Sequence, residues 1–283
     1  MSQAAASRPD LSSRITGRCF GHPNWRIAFL LVLPIFLSCC AVPQQKPFDL
    51  GHWNQIKIEQ LQDKARDIAD PGDKVALISE AFLKTPYLAN TLIGSAETSE
   101  IFTLRLDGVD CFTFLDYVEA LRRSVDFEGF KEALRYIRYR NGKVTFLDRN
   151  HFFSVWGNTF LAPLRDITAQ VGGTNVRWVE KYLNQKGDGT LYLPGYPVKK
   201  QVIAFIFPEA IDAVLLSRLR SGDYIGIYSP LPGLDVSHTG IIIKKAGGTF
   251  LRHAAQQQVI DEALLPYLGG KKGLVIYRPV AEY

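Results

Sequence analysis

The chain changes its hydrophobic period part-way along. Between about residues 53 and 140, apolar side chains recur every three or four positions, the spacing of a buried helical face. Beyond Leu219 they come in short β-branched and aromatic runs separated by turns. Helices first and hairpin-joined strands afterwards restrict such a chain to an α+β fold, with helices packed on an antiparallel sheet. The spacing predicts helices over 53–69, 74–83, 111–126 and 129–140. Pro71 starts the second of these, Thr85-Pro86 stops it, and Asn141-Gly142 ends the fourth. Strands are expected over 224–228, 239–243, 249–252 and 274–278, with 246–248 as a hairpin turn. Residues 143–160 read as a strand or irregular excursion, 174–183 as a short helix, and 191–194 as a loop or strand edge.

The first forty residues stand apart from this core. Arg8, Arg14, Arg18 and Arg26 precede the apolar run IAFLLVLPIFL, which is too short to cross a bilayer and ends in small residues before Cys39 and Cys40. That is the pattern of an export signal over 1–40, and leucine and small residues before a cysteine also resemble a lipoprotein cleavage box. Cys40 is the lipidation candidate, which would tether the protein to a membrane. Residues 41–52 read as a linker and 53–283 as a single domain. Four arginines and one aspartate leave with the leader, so the formal net charge falls from +5 to +2. The basic balance therefore belongs to the export signal and is no argument for a nucleic-acid partner.

With the leader removed, one cysteine remains. Cys111 follows the turn-prone Gly108-Val109-Asp110, and an apolar helical pattern (Phe114, Leu115, Val118, Leu121) starts directly behind it. A thiol at a helix N-terminus sits among unpaired N–H groups and the positive end of the macrodipole, which favour a nucleophilic thiolate. A small buried core residue is the plain alternative for a lone cysteine. His238 opens one predicted strand and His253 ends the next, across the Gly247-Gly248 turn, so pairing brings both to one sheet edge. A thiol and two imidazoles suit a relay in which one histidine takes the thiol proton and the other fixes its tautomer. The same three residues could ligate zinc, but no second cysteine lies nearby and no HExxH helix is present. No metal or cofactor is expected.

The ordered set Thr85-Pro86-Tyr87, Gly108-x-Asp110-Cys111, Ser221-Gly222-Asp223, His238-x-Gly240 and His253-Ala254 resembles the NlpC-type cysteine peptidases of bacterial cell walls. Within that superfamily, Asp110-Cys111-Phe112-Thr113-Phe114, Arg149-Asn150-His151 and the run from Gly233 to Gly240 resemble the N-acetylmuramoyl-L-alanine amidase-like branch. The resemblance implies a papain-like NlpC-type fold, with the nucleophile helix on a C-terminal antiparallel sheet. It also implies Cys111 as nucleophile, His238 as general base and His253 as the orienting member. Tyr87 falls where the superfamily keeps a tyrosine beside the cysteine. Asp110 is expected to fix the turn before the helix, and Asp235 to bind substrate or cap its own loop. Arg149, Asn150 and Trp156 are expected to face the sugar or the stem peptide. The implied substrate is a muropeptide cut between N-acetylmuramic acid and L-alanine. Cleavage at the γ-D-glutamyl–diaminopimelate bond, or a cell-wall-binding lipoprotein without catalysis, are the alternatives.

Overall fold

The computed structural model describes residues 46–158 and 164–281, which fall in one unit spanning 44–283. The expected export signal, Cys39 and Cys40 lie outside the described residues.

A short strand β1 (Phe48–Asp49) leads to helix α1 (Gln55–Arg66), which starts where the Asn54 side chain accepts the Lys57 N–H. Helix α2 (Pro71–Glu80) starts on Asp70, whose carboxylate accepts the N–H groups of Gly72 and Asp73. Strand β2 (Leu104–Arg105) pairs in parallel with β1 and delivers the chain to helix α3 (Cys111–Arg122). Ten of the twelve α3 residues are buried, so this helix is enclosed on all sides rather than along one stripe. Helix α4 (Phe127–Arg138) packs against it through Phe130, Leu134 and Ile137.

Residues 143–158 form no strand. They make one 3₁₀ turn (Phe146–Asp148) and the short helix α5 (Phe153–Trp156). Beyond it come β3 (Leu164–Asp166) and α6 (Thr168–Gly172). Then follows β4 (Val176–Leu183), where a short helix was expected, paired with β5 (Lys199–Ile206) along eight residues. Helix α7 (Ala213–Arg218) precedes the four strands β6 (Tyr224–Tyr228), β7 (Val236–Lys245), β8 (Gly248–Ala254) and β9 (Val259–Ala263). Helix α8 (Leu264–Leu268) and strand β10 (Leu274–Pro279) close the chain.

Among the described residues the large sheet runs β4-β5-β10-β6-β7-β8-β9, with β3 also on β10, and its pairings are antiparallel. Alternation along the central strands sends side chains to two separate cores. Tyr224, Ile241, Ile243 and Val275 meet α1 to α4, while Ile225, Ile227, Ile242 and Ile276 meet α6 and α7. Both faces are therefore covered, and α3 lies on β7 and β8. This contact sets the cysteine against the two histidine-bearing strands.

Candidate active site

Cys111 is the first residue of α3. Asp110 caps it: one carboxylate oxygen accepts the N–H groups of Phe112 at 2.9 Å and Thr113 at 2.7 Å, and the Thr113 hydroxyl accepts the Asp110 N–H at 3.0 Å. With those two amides taken, the N–H of Cys111 itself is the helix-end donor left beside the sulfur. The helix end is tied to the sheet where the Thr239 hydroxyl donates to the Cys111 carbonyl at 2.7 Å.

Strands β7 and β8 supply the imidazoles. His238 Nε2 lies 2.8 Å from His253 Nδ1, and His253 Nε2 lies 3.3 Å from a Glu262 carboxylate oxygen on β9. Gly240 makes room for this packing, since a Cβ there would stand 2.8 Å from the Arg252 carbonyl oxygen and 3.0 Å from the His253 Cβ. The partners fix the protons. A carboxylate only accepts, so His253 carries its proton on Nε2 and receives at Nδ1. His238 therefore donates from Nε2 and keeps a free lone pair on Nδ1. The Tyr267 ring packs on both imidazoles, with centroids 6.2 Å from His238 and 5.0 Å from His253, and the Lys271 ammonium sits 4.7 Å above that ring.

Cys111 and His238 line one open cavity of about 240 Å³, together with Phe112, His151, Tyr192, Leu193 and Asp235. Burial, the charge shared with His253 and nearby Lys271 hold His238 at about 4, so it is a neutral acceptor at neutral pH. Burial also lowers His253, against the pull of Glu262. His151, whose Nε2 donates to the Phe146 carbonyl at 2.8 Å, is likewise held at about 4 by burial.

The resting thiolate expected from the helix end is not what the surroundings favour. Burial and the adjacent Asp110 carboxylate push the Cys111 thiol up, with hydrogen bonding from Thr239 opposing them. The free site therefore holds a neutral thiol beside a neutral imidazole. Iodoacetamide is expected to alkylate Cys111 slowly at neutral pH and steadily faster past about pH 9. Mass spectrometry of the alkylated cysteine across pH checks this. A fast rate unchanged from acidic pH upward would show an ion-paired thiolate instead.

Tyr87 stands near Cys111 and Asp110. Its segment is held by the bond from Val109 N–H to the Pro86 carbonyl, and burial and the charges of Cys111 and Asp110 raise its hydroxyl. Trp156 and Asn150 are turned to protein groups rather than to a ligand, and Asp235 takes the second of its two expected roles, holding its own loop. Trp156 is wholly buried, with its indole N–H on Asp116 at 3.1 Å, because α3 needs a cover on this side. Asn150 is buried and donates to the Ile137 carbonyl at 2.8 Å. Asp235 is buried with both oxygens occupied: one accepts the N–H and hydroxyl of Ser154, each at 2.7 Å, and the other accepts the Val236 N–H at 2.7 Å. It locks the approach to His238 onto α5, with each oxygen already accepting from the protein. Arg149 is neutralised by Glu100, to which it donates from Nε at 2.9 Å.

Glu262 and Lys271 are the members sequence reasoning missed. Glu262 lies in the acidic stretch VIDEA, and only the β8–β9 register places it against His253. Lys271 reads as a solvated charge until α8 brings it over Tyr267. Glu262→Ala is expected to lower kcat about fivefold, a discounted value for one half-exposed charged hydrogen bond, and to leave KM unchanged. Glu262→Gln, which still accepts a hydrogen bond, should recover most of the loss in the same steady-state assay.

Residues 77–274 match the AmiA-like family, described as N-acetylmuramoyl-L-alanine amidase-like. The chain belongs to the AmiA-like family. A Legionella pneumophila protein of the DUF1460 family has a similar structure, with TM-score 0.68 and 24% identity over 81% of this chain and 95% of its own. An N-acetylmuramoyl-L-alanine amidase from Bacteroides uniformis gives TM-score 0.63 and 24% identity over 75% of this chain and 99% of its own. A Bacteroides fragilis protein proposed as a xylanase gives 0.60 and 26% over 71% and 98%. No curated protein matches. These likenesses show that the AmiA-like chain shares an α/β fold with an antiparallel sheet.

Proposed function

We propose that this AmiA-like protein is a cysteine amidase that hydrolyses the bond between the lactyl group of N-acetylmuramic acid and L-alanine in muropeptides, on a papain-like NlpC-type fold. The observation that carries the reading is that Cys111 and His238 line one cavity, while the His238–His253–Glu262 chain engages His238 through Nε2 and leaves Nδ1 as its lone-pair nitrogen.

The steps follow from these groups. His238 Nδ1 takes the thiol proton as the sulfur attacks the lactyl carbonyl carbon, and the Cys111 N–H, as the nearest helix-end donor, stabilises the oxyanion. The carbon–nitrogen bond breaks, His238 gives its proton to the alanine amine, and a thioester to the sugar remains. Water then attacks the thioester, passing a proton to His238. Release of the acid regenerates the sulfur, which takes that proton back. Glycoside hydrolysis, the activity proposed for one structural neighbour, needs a facing pair of carboxyl groups. The carboxylates next to Cys111 in sequence and on its cavity wall, those of Asp110 and Asp235, are instead tied to backbone N–H groups.

Incubating the protein with anhydro-muropeptides and analysing products by mass spectrometry tests the proposal. Free disaccharide with an intact stem peptide supports it. A cut within the stem peptide replaces it with the endopeptidase, and binding without turnover replaces it with a binding protein. Loss of activity with a thiol alkylator but not with EDTA tests the cysteine chemistry. The export pattern over 1–40 and the lipidation candidate Cys40 fit a substrate in the bacterial cell envelope.

A further inference from the structure

Strand β4 forms one edge of the large sheet, and its outer face reverses the usual order of apolar-in and polar-out. Trp178 is 62% exposed and Tyr182 49%, and Val202 of β5, opposite Glu180 between them, is 57% exposed. Lys181 takes the inward place, donating to the Ser229 and Leu231 carbonyls, each at 2.8 Å. Burying the rings would have stabilised the fold and burying an ammonium costs it, so folding does not account for the reversal. Helix α6 packs over the start of this face at Val176 and Ile206. Past that point Trp178, Glu180, Tyr182, Lys200 and Val202 are all exposed. We propose that this face of the β4–β5 ribbon binds a glycan chain of N-acetylated amino sugars, apart from the Cys111 cavity.

The chemistry of the face selects this ligand. Trp178 and Tyr182 share one side of the strand four residues apart, about 13 Å, a distance that a short oligosaccharide bridges. A pyranose ring has a face of C–H groups that stacks on an aromatic ring, and a rim of hydroxyl and amide groups. The space between the two aromatic rings holds groups suited to that rim. Glu180 accepts from the Tyr182 hydroxyl at 2.9 Å and from the Lys200 ammonium at 2.8 Å. These bonds orient the carboxylate without saturating it, and the ammonium keeps N–H donors to spare. Sugar hydroxyls both donate and accept, so they can use both groups. A lipid surface or the apolar core of a protein interface would strip water from the ion pair and replace none of its partners.

The ribbon also leads to the candidate active site. Two residues past Tyr182, the Asn184 N–H donates to the Gly233 carbonyl at 2.8 Å, and its side chain donates to the Leu193 carbonyl at 3.0 Å. Leu193 and Leu234 line the Cys111 cavity. A glycan held on Trp178 and Tyr182 is therefore fixed relative to that cavity. This link to catalysis rests on the amidase reading above; the binding face does not.

The test titrates the full chain with chitotetraose, a soluble oligomer of N-acetylglucosamine. It carries neither lactyl group nor peptide, so the relay has nothing to cleave. Calorimetry gives the affinity. Acrylamide quenching of tryptophan emission reports the contact, because Trp178 is exposed while Trp53 and Trp156 are buried. Trp178→Ala is expected to weaken binding about tenfold and abolish the protection from quenching, and Tyr182→Ala to weaken it about fivefold, the scale of losing one stacking partner. Both side chains are exposed, so circular dichroism should not change. Turnover of a monomeric muropeptide is expected to stay within about twofold. A drop there as large as the loss of binding would put both rings in the Cys111 site and overturn the proposal. Failure of chitotetraose to bind, or binding that neither substitution weakens, overturns it as well. Trp178-dependent binding to phosphatidylglycerol vesicles, or Trp178-dependent dimerisation, in the absence of sugar binding gives the face to a membrane or a second copy and likewise overturns it. If no muropeptide is cleaved, the amidase reading falls, and the chitotetraose titration still decides the binding face.

Discussion

Cys111→Ala is expected to remove about 10⁴- to 10⁶-fold of the turnover while changing stability by no more than about 1 kcal/mol. In the proposed reaction the sulfur forms and breaks the covalent bond in both halves, a role its removal leaves unfilled, so the expected chemical loss is large. The structural loss is small because α3 is started by Asp110 and Thr113 and held to the sheet by Thr239, which meets the Cys111 backbone. Cys111→Ser should do little better. His238, held at about 4, is too weak a base to deprotonate an alcohol, whose proton is bound far more tightly than a thiol's. Steady-state rates on muropeptides and a denaturant melt of each variant make the comparison. A Cys111→Ala protein that turns over at more than a hundredth of the original rate would remove the nucleophile.

How much of this was legible in the sequence depended on whether a residue's partners were local. Asp110 and Cys111 lie within four residues of the groups that fix them, so the turn, the cap and the helix can be read directly. The two histidines flank one hairpin, and β7 and β8 pair back from Lys245 and Gly248, so their meeting at 2.8 Å follows from the turn. Other assignments failed for identifiable reasons. Strand β4 carries its aromatics Trp178 and Tyr182 outward and buries Lys181, so its alternation is reversed from the usual apolar-in pattern and reads as helical. Trp156 depends on Asp116, 40 positions away, and nothing local announces that partner. The thiol was misjudged because a helix end is visible in sequence and burial is not.

Asp116 also sets the largest expected effect on stability. It lies on α3, 2% exposed, and accepts from Arg138 Nε at 2.8 Å and from the Trp156 indole at 3.1 Å. Arg138 reaches it from α4, equally buried, and also donates to the Thr103 carbonyl. Deleting one partner strands the other, and the two deletions are not equivalent. Asp116→Ala leaves a guanidinium that cannot give up its proton in the interior, and removes the bond from the indole as well, so a loss of about 3–5 kcal/mol is expected. Arg138→Met leaves a carboxyl group that burial already pushes up, so it can take a proton and become neutral. The expected cost is lower by about 1–2 kcal/mol, since the long apolar side chain also refills the space beside Tyr117. Urea melts of both single variants and of the double variant measure this asymmetry. The double variant should be more stable than Asp116→Ala alone, because it no longer buries an unpaired charge. Two single variants of equal stability would mean that the penalty comes from lost packing rather than from the stranded ion.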